Sequence, residues 1–438
     1  MKIKYSLLFI LAIILFTALK PFAQTAVVTP STKAILFKGG IAHLGNGRVI
    51  ENSLIGIKDG KIILITDAAT ARIDGSVFDE RITITGKHVY PGIIAPSSTI
   101  GLNELDAVRA TNDFSEVGYI NPHVRSLISY NTDSKIIPTI RTNGILLVQA
   151  SPRGGLISGS SSIMKLDGWN WEDAVLKADD GIHLNWPEMN APKRIRETDQ
   201  SYNERVKNYN TSISNVTNFF ADAKAYSQIV HDEKNIRFEA MKGIITGEKI
   251  LYVHTNSLKD IIEVIAFTKK FEIKKYVLVG ARDAYLATAI LKENNVPVIL
   301  ARVHELPENI DDDVDLPYKR AAELFKAGVL VCLTNEGGME AMGTRNLPFQ
   351  AGTTVAYGLT KEEALMLITS NTAKILGIED RVGVLEENKQ ATFFISEGDA
   401  LDMISNNVVK AFIDGKEVEL PNEQLQLYNK YKQKYGLK

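Results

Sequence analysis

The most constraining feature of this sequence is a long region in which short apolar runs alternate with segments of helical periodicity. It begins after Pro91-Gly92 and continues to about residue 380. The apolar runs have strand length and are almost continuously hydrophobic, as strands buried on both faces of a parallel sheet are. Strand–helix alternation over this length predicts an α/β fold, specifically a distorted TIM (β/α)8 barrel. The predicted strands include 145–149, 250–253, 275–279, 296–300 and 329–333, and the predicted helices include 258–270, 283–294, 317–327 and 361–368.

Shorter stretches of alternating β pattern flank this region. Residues 34–89 contain strand-like runs separated by turns such as Asp59-Gly60, and a similar pattern returns over 383–418. Each stretch alone is too small to bury a core, so we expect both to form one small β-sandwich. The predicted organisation is a sandwich from 25–90 and 381–420, a barrel over 91–380 with an irregular insertion at 168–248, and a polar helical tail at 421–438.

The N-terminus has the pattern of a secretory signal peptide. Lys2 and Lys4 precede an apolar run from Leu7 to Leu19, which Lys20-Pro21 ends. This run is shorter than the roughly 20 residues of a normal membrane span. We therefore predict a cleavable signal over 1–24, a periplasmic or secreted protein, and no stable membrane span after cleavage. A retained membrane anchor is the alternative.

Composition excludes several other classes of protein. Cys332 is the single cysteine, so neither an intrachain disulfide nor a cysteine-rich zinc site can form. The 50 basic and 52 acidic residues leave no broad positive excess, so we expect no nucleic-acid partner. The sequence also lacks the Gly-x-Ser-x-Gly motif of a serine hydrolase.

Several motifs occur in an order typical of one enzyme superfamily. They are Lys58-Asp59-Gly60-Lys61-Ile62, the run from Gly86 to Ile94, Leu347-Pro348-Phe349-Gln350-Ala351-Gly352, the run from Glu363 to Ile378, and Val382-Gly383-Val384-Leu385-Glu386. Together they resemble the amidohydrolase superfamily, in particular its imidazolonepropionase-like branch. The resemblance covers nearly everything after the signal segment.

This resemblance implies a metal-dependent hydrolase of carbon–nitrogen bonds other than peptide bonds. In the family, a His-x-His pair after strand one, a lysine or acid, and histidines after strands five and six hold one or two divalent metals. An aspartate ending strand eight handles the proton of the metal-bound water. Bound Zn²⁺ lowers the pKa of water to about 7 and needs roughly three protein ligands.

Most of these ligand positions are substituted here. Ser97 and Thr99 stand where the strand-one histidines are expected. Gly280 replaces the strand-six histidine, and Asn335 replaces the aspartate. Hydroxyls are poor zinc ligands, glycine has no side chain, and an amide is no general base near pH 7. His254 is the one clear survivor, and the predicted pocket also includes Asn256 and His183. His183 is alternatively a strand residue that faces the helices.

We therefore predict a degenerate metal centre with no cofactor. The protein would bind a small-molecule or peptide-like ligand, or act as a partner in a homo-oligomer or in a hetero-oligomer with an active relative. The alternative is an active hydrolase of non-peptide or cyclic amide bonds with an atypical zinc site. In that case Glu104, Asp106 and Glu336 would be the substitute ligands.

Two loops near the predicted pocket remain open to interpretation. Pro152-Arg153-Gly154-Gly155 is either a backbone nest for an anion or a plain loop at the barrel mouth. The serine-rich residues 158–162 are expected to form a turn that leads into a strand at 163–166.

Overall fold

A computed structural model describes residues 33–188 and 197–437. The predicted signal segment lies outside the described residues. Within them, no helix has the length and apolar character needed to cross a membrane. The strands are β1 (Ile35–His43), β2 (Val49–Lys58), β3 (Lys61–Asp67), β4 (Glu80–Thr83), β5 (His88–Pro91), β6 (Ile93–Ser98), β7 (Ile145–Ala150), β8 (Ile157–Lys165), β9 (Val175–Asn185), β10 (Ile250–Thr255), β11 (Tyr276–Gly280), β12 (Val298–Leu300), β13 (Val331–Leu333), β14 (Phe393–Ser396), β15 (Val408–Ile413) and β16 (Lys416–Val418).

Helices alternate with the later strands in the manner of β/α units, and one helix follows each of β10, β11 and β12. The helices are α1 (Ser126–Ser129), α2 (Ile136–Arg141), α3 (Trp171–Ala174), α4 (Asp199–Ser227), α5 (Ile236–Thr246), α6 (Leu258–Lys270), α7 (Thr288–Glu293), α8 (Leu316–Lys326), α9 (Glu340–Gly343), α10 (Leu347–Ala356), α11 (Lys361–Met366), α12 (Ser370–Leu376) and α13 (Glu423–Lys434).

The helix boundaries follow from local sequence. Before α6, the Ser257 side chain accepts a hydrogen bond from the Asp260 amide, and Lys269 and Lys270 occupy the last turn. Before α11, Thr360 and Glu363 bond reciprocally as a capping box. Such caps satisfy amides that a helix leaves without partners at its start, and terminal lysines complement the helix dipole.

Strands β6 to β13 form an eight-stranded sheet in which spatial order equals chain order. The sheet is nearly closed, because residues 367 and 368 bridge its two edges. The Ile94 amide donates to the Ile368 carbonyl at 3.0 Å, and the Leu333 amide donates to the Leu367 carbonyl at 3.1 Å. The predicted distorted TIM barrel is thus confirmed.

The distortion lies at β8, which runs antiparallel to both β7 and β9. The prediction of a turn at 158–162 is wrong, because these residues lie inside the buried strand β8. Serines are tolerated there because their hydroxyls find partners, such as the Asp180 carboxylate for Ser161 at 2.8 Å. β9, the next strand, falls within the segment predicted to be an irregular insertion.

The chain ends combine in a second sheet with the order β16-β15-β14-β5-β1-β2-β3, and β4 pairs with β1. The two halves join where β5 pairs antiparallel with β14. Phe37 packs against Phe393 and Phe412 with ring centroids 5.4 and 5.2 Å away. The prediction that N- and C-terminal segments form one small β-domain beside the barrel is therefore confirmed.

Candidate functional site

Two histidines and a glutamate form a hydrogen-bonded chain at the barrel mouth. His183 lies near the end of β9 and His254 near the end of β10. The Nδ1 atom of His183 lies 2.8 Å from Nε2 of His254, and Nδ1 of His254 lies 3.0 Å from Oε1 of Glu336. Burial lowers the pKa of His183 well below its usual value, and the nearby charges of His254 and Arg153 add to that effect. His183 is therefore neutral at pH 7.

Arg153 brings a buried positive charge to the same place. Its Nη2 atom donates to Oε1 of Glu340 at 2.8 Å and to the Ser97 carbonyl at 2.9 Å. Its Nε atom lies 3.9 Å from Oε1 of Glu336. Burial lowers the pKa of this guanidinium, but Glu340 and Glu336 more than offset that effect, so the pKa is raised overall. Arg153 remains charged at every ordinary pH.

The two glutamates of the site respond differently to burial. Burial alone would raise the pKa of Glu336, but His254 and Arg153 hold it down at about 2. Burial raises the pKa of Glu340 to about 7 despite the guanidinium beside it, and the Glu336 charge contributes to the rise. The site therefore contains one firmly ionised carboxylate and one that titrates near neutral pH.

A set of buried polar residues lies behind the histidines and helps to hold the end of β6 in place. Asp180 accepts hydrogen bonds from Gln149 Nε2 at 2.8 Å, from the Tyr252 hydroxyl at 2.7 Å and from Ser161. Gln149 Oε1 in turn accepts from the Ser97 amide at 2.9 Å. Ser97 has a φ of 46°, which is unusual for a residue with a side chain, and this bond helps to hold it there.

Asn335, where the resemblance predicts an aspartate, has both polar atoms of its side chain in hydrogen bonds within the protein. Its Oδ1 atom accepts from Gln350 Nε2 at 2.6 Å, and its Nδ2 atom donates to the Glu340 carbonyl at 3.3 Å. The side chain is nearly buried. It therefore positions the segment that carries Glu340 and has no basic atom to offer to water.

The structure brings some predicted site residues together and separates others. Ser97 is linked to the histidines through Arg153, which donates to the Ser97 carbonyl and lies 3.9 Å from Glu336, the hydrogen-bond partner of His254. Thr99 contributes its backbone amide, which donates to Glu340 at 2.8 Å. The predicted substitute ligands Glu104 and Asp106 bond to residues of their own loop region, Asn131 and Asn103 respectively. Glu336 does lie in the site.

Beside His254 a cleft of about 290 Å³ opens at the ends of β10, β11 and β12. Asn256 and Gly280 line it, as do three arginines, two of which follow strand ends while the third lies within α8. Asn256 also donates to Glu188 at 3.0 Å. The arginines are Arg282, Arg302 and Arg320.

The residues of the mouth do not fit a zinc site of the family type. Both ring nitrogens of His254 are already bonded to His183 and Glu336. The Arg153 cation lies where the strand-one ligands would converge, and a second cation there would be repelled. In residues 33–188 and 197–437, no three histidine, cysteine or acidic side chains are arranged to hold a metal ion.

Sequence reasoning missed the central residue of this site. It identified the Arg153 loop for its backbone, whereas the side chain makes the contacts with Ser97 and Glu340. Glu340, Gln149 and Asp180 were also missed. The available signal was polarity inside an otherwise apolar strand, as at Gln149 in β7, because a buried polar residue needs a partner.

The amidohydrolase family model matches residues 231–418. An amidohydrolase from Thermotoga maritima aligns with 24% identity and a TM-score of 0.77, over 88% of this chain and 99% of that one. Ochratoxinase from A. niger aligns with 14% identity and a TM-score of 0.53, over 90% and 97%. A zinc-bound adenosine deaminase from Xanthomonas campestris aligns with 13% identity and a TM-score of 0.50, over 93% and 99%. No match was found among the curated proteins.

Proposed function

We propose that this protein binds a ligand at the barrel mouth without a metal. The predicted resemblance to amidohydrolases is confirmed, whereas its imidazolonepropionase-like branch is not. The ligand is a small or peptide-like molecule. The observation that carries the proposal is the Arg153 guanidinium, which bridges the Ser97 carbonyl and the Glu340 carboxylate. The positive charge of Arg153 thus neutralises the glutamates at the barrel mouth, where a bound metal ion would otherwise do so.

A guanidinium replaces only part of what a metal does. It supplies positive charge and hydrogen-bond donors, but it does not coordinate water and lower its pKa to about 7 as Zn²⁺ does. With Asn335 at the aspartate position, the usual base is also missing. Two buried atoms, Nε2 of His183 and Oε2 of Glu336, have no partner within the described residues. Polar atoms of this kind are available to a bound ligand.

One observation favours the alternative of an active carbon–nitrogen hydrolase. Glu340 has a pKa of about 7, which suits a group that transfers protons at neutral pH. It lies next to Arg153, which would stabilise developing negative charge. Zinc would enter only under this alternative, with His254 as its one conventional ligand.

Metal analysis separates the two candidates. We would purify the chain from residue 25 onward, measure zinc per chain, and assay hydrolysis of N-acyl amino acids and cyclic amides. The expected result is zinc well below one equivalent and no hydrolysis above the blank. Near-stoichiometric zinc and amidase activity, both lost in His254→Ala and both retained in the exposed control His304→Ala, would overturn the proposal.

We also propose export and assembly. Residues 1–24 support cleavage and a periplasmic or secreted location, and the protein would act as a homo-oligomer or beside an active relative. Cell fractionation with N-terminal sequencing tests the first point, because a mature protein should begin near residue 25 in the soluble exported fraction. An intact N-terminus in the membrane fraction would instead support a retained anchor.

A further inference from the structure

Arg320 is a buried cation without a bonded partner. It lies on α8 and is 6% exposed. Its Nε atom is buried and has no hydrogen-bond partner. Within the described residues its side chain makes no ion pair closer than 4.0 Å, although the Asp283 and Asp312 carboxylates interact with its charge at longer range. Its one close aromatic neighbour is Tyr285, whose ring centroid lies 5.9 Å away. Buried charges in proteins are normally paired, so this side chain calls for an explanation.

The position of Arg320 suggests what the explanation is. It lines the cleft beside His254, together with Arg282 and Arg302. Arg282 is paired with Glu308 at 3.0 Å. Arg302 donates to the Gly338 carbonyl at 2.8 Å and to the Glu336 carbonyl at 3.2 Å. Among the cleft arginines of the described chain, Arg320 is therefore the one whose donors are not used.

We propose that the cleft binds the carboxylate of a small ligand and that the Arg320 guanidinium is its principal partner. This inference rests on the proposed binding function and names the chemical class of its ligand. The planar fork of a guanidinium matches the two oxygens of a carboxylate, and such paired charged hydrogen bonds are both strong and directional. The ligand would supply the partner that the protein itself does not.

The surrounding residues favour a singly charged anion. Glu305, Glu308 and Glu336 also line the cleft and would repel a phosphate dianion more strongly than a carboxylate. Leu306 and Pro317 give the walls an apolar part. A cleft near the lower end of typical ligand-pocket volumes suits a molecule of amino-acid size with an apolar side chain.

The charged form of Arg320 is disfavoured where it lies. Burial, together with the positive charge of Arg282, lowers the pKa of Arg320, although the Asp283 carboxylate offsets part of this effect. A structural arginine would stabilise the fold, whereas a binding arginine without its ligand would not. Replacement of Arg320 by a neutral residue therefore distinguishes the two roles.

The test is calorimetric titration of the mature full-length chain with N-acetyl-L-leucine, with its neutral amide and with inorganic phosphate. We expect saturable binding of the carboxylate with a Kd below about 1 mM and binding of the amide weaker by about tenfold or more. Arg320→Gln should lose this preference and keep the thermal stability of the free protein. Arg237→Gln, which changes an exposed arginine outside the cleft lining, should behave as the wild type.

Three outcomes would overturn the inference. The first is that the wild type binds the carboxylate and its amide equally well. The second is that a folded Arg320→Gln variant binds the carboxylate as the wild type does. The third is that the wild type binds only phosphate or none of the probes. If Arg320→Gln fails to fold, Arg320→Lys provides the second variant, since it keeps the charge but loses the fork and should weaken the carboxylate preference. The zinc and amidase measurements test metal-free binding, whereas the titrations test carboxylate binding at Arg320. A failure of one proposal can therefore be told apart from a failure of the other.

Discussion

The guanidinium of Arg153 lies 2.8 Å from the carboxylate of Glu340, although 187 residues separate the two in the chain. Arg153 follows β7 and Glu340 begins α9, which follows β13, so the pair links the two sides of β6 across the nearly closed edge of the barrel. The same guanidinium donates to the carbonyl of Ser97 at the end of β6. One arginine thus connects the end of β6 with the segments that follow β7 and β13.

Removal of the cation should leave buried negative charge uncompensated. We expect Arg153→Met to lower the free energy of unfolding at pH 8 by about 3 kcal/mol, because Glu336 and Glu340 lose their shared partner. Urea unfolding followed by circular dichroism measures this change. Arg237→Met, at an exposed position, should stay within about 0.5 kcal/mol of the wild type.

The double variant Arg153→Met/Glu340→Gln provides a stricter test of the same pair. It should recover part of the loss, because the unpaired charge is removed together with its partner. Strict additivity of the two single changes would contradict a direct interaction between these side chains.

Glu340 should make stability depend on pH near neutrality. Its pKa is raised in the folded protein to about 7 from the ordinary glutamate value of 4.5, so the folded state binds the proton more tightly than the unfolded state. This contribution is fully present below about pH 4.5 and is lost as the pH rises through 7. We expect the wild type to lose about 1–3 kcal/mol relative to Glu340→Gln between pH 5 and pH 8.

Denaturant unfolding at several pH values would check this prediction. Glu336 serves as the opposite case, since its lowered pKa gives a contribution that is present above about pH 4.5 and is lost as the pH falls towards 2. Parallel stability curves for the wild type and Glu340→Gln between pH 5 and pH 8 would show that Glu340 is already ionised there.

The hydroxyl of Tyr252 should matter to the layer behind the histidines. Tyr252→Phe removes the donor that bonds Asp180 at 2.7 Å while the ring that stacks on His183 remains. Because Asp180 is buried, we expect a loss of about 1–2 kcal/mol in unfolding free energy. The matched change at the exposed Tyr428 should have no measurable effect, and an equal effect at both positions would contradict this role.

The sequence allowed the barrel and the small β-domain to be predicted because their signals are local. Motif order, strand–helix alternation and turn residues all lie within short windows. Strand direction has no such signal, and β8 was therefore not recognised as antiparallel to its neighbours. Its serines looked like a turn because polarity in a short window resembles a loop.

The candidate site was predictable only in part, for the same physical reason. His254 and the substituted positions Ser97, Gly280 and Asn335 could be placed because each follows a recognisable strand. The pairing of Arg153 with Glu340 depends on tertiary folding, and nothing near either residue announces the other. Long, flexible side chains from loops can reach many partners, so local pattern does not determine which one they meet.

A substitution at Gly280 tests whether the backbone there accepts a side chain, such as the histidine that the resemblance predicts after strand six. Its φ of 81° lies in the left-handed region, and a Cβ there would lie 2.8 Å from Oδ1 of Asn256. We expect Gly280→Ala to destabilise the protein by about 1–2 kcal/mol, since backbone strain adds to the displacement of Asn256. Gly338→Ala is the matched control, because nothing lies within 4 Å of its added Cβ. If thermal and urea unfolding give the same stability for both variants, the backbone at Gly280 accepts a side chain. A selective loss of stability in the Gly280 variant would instead show that the turn after β11 requires glycine.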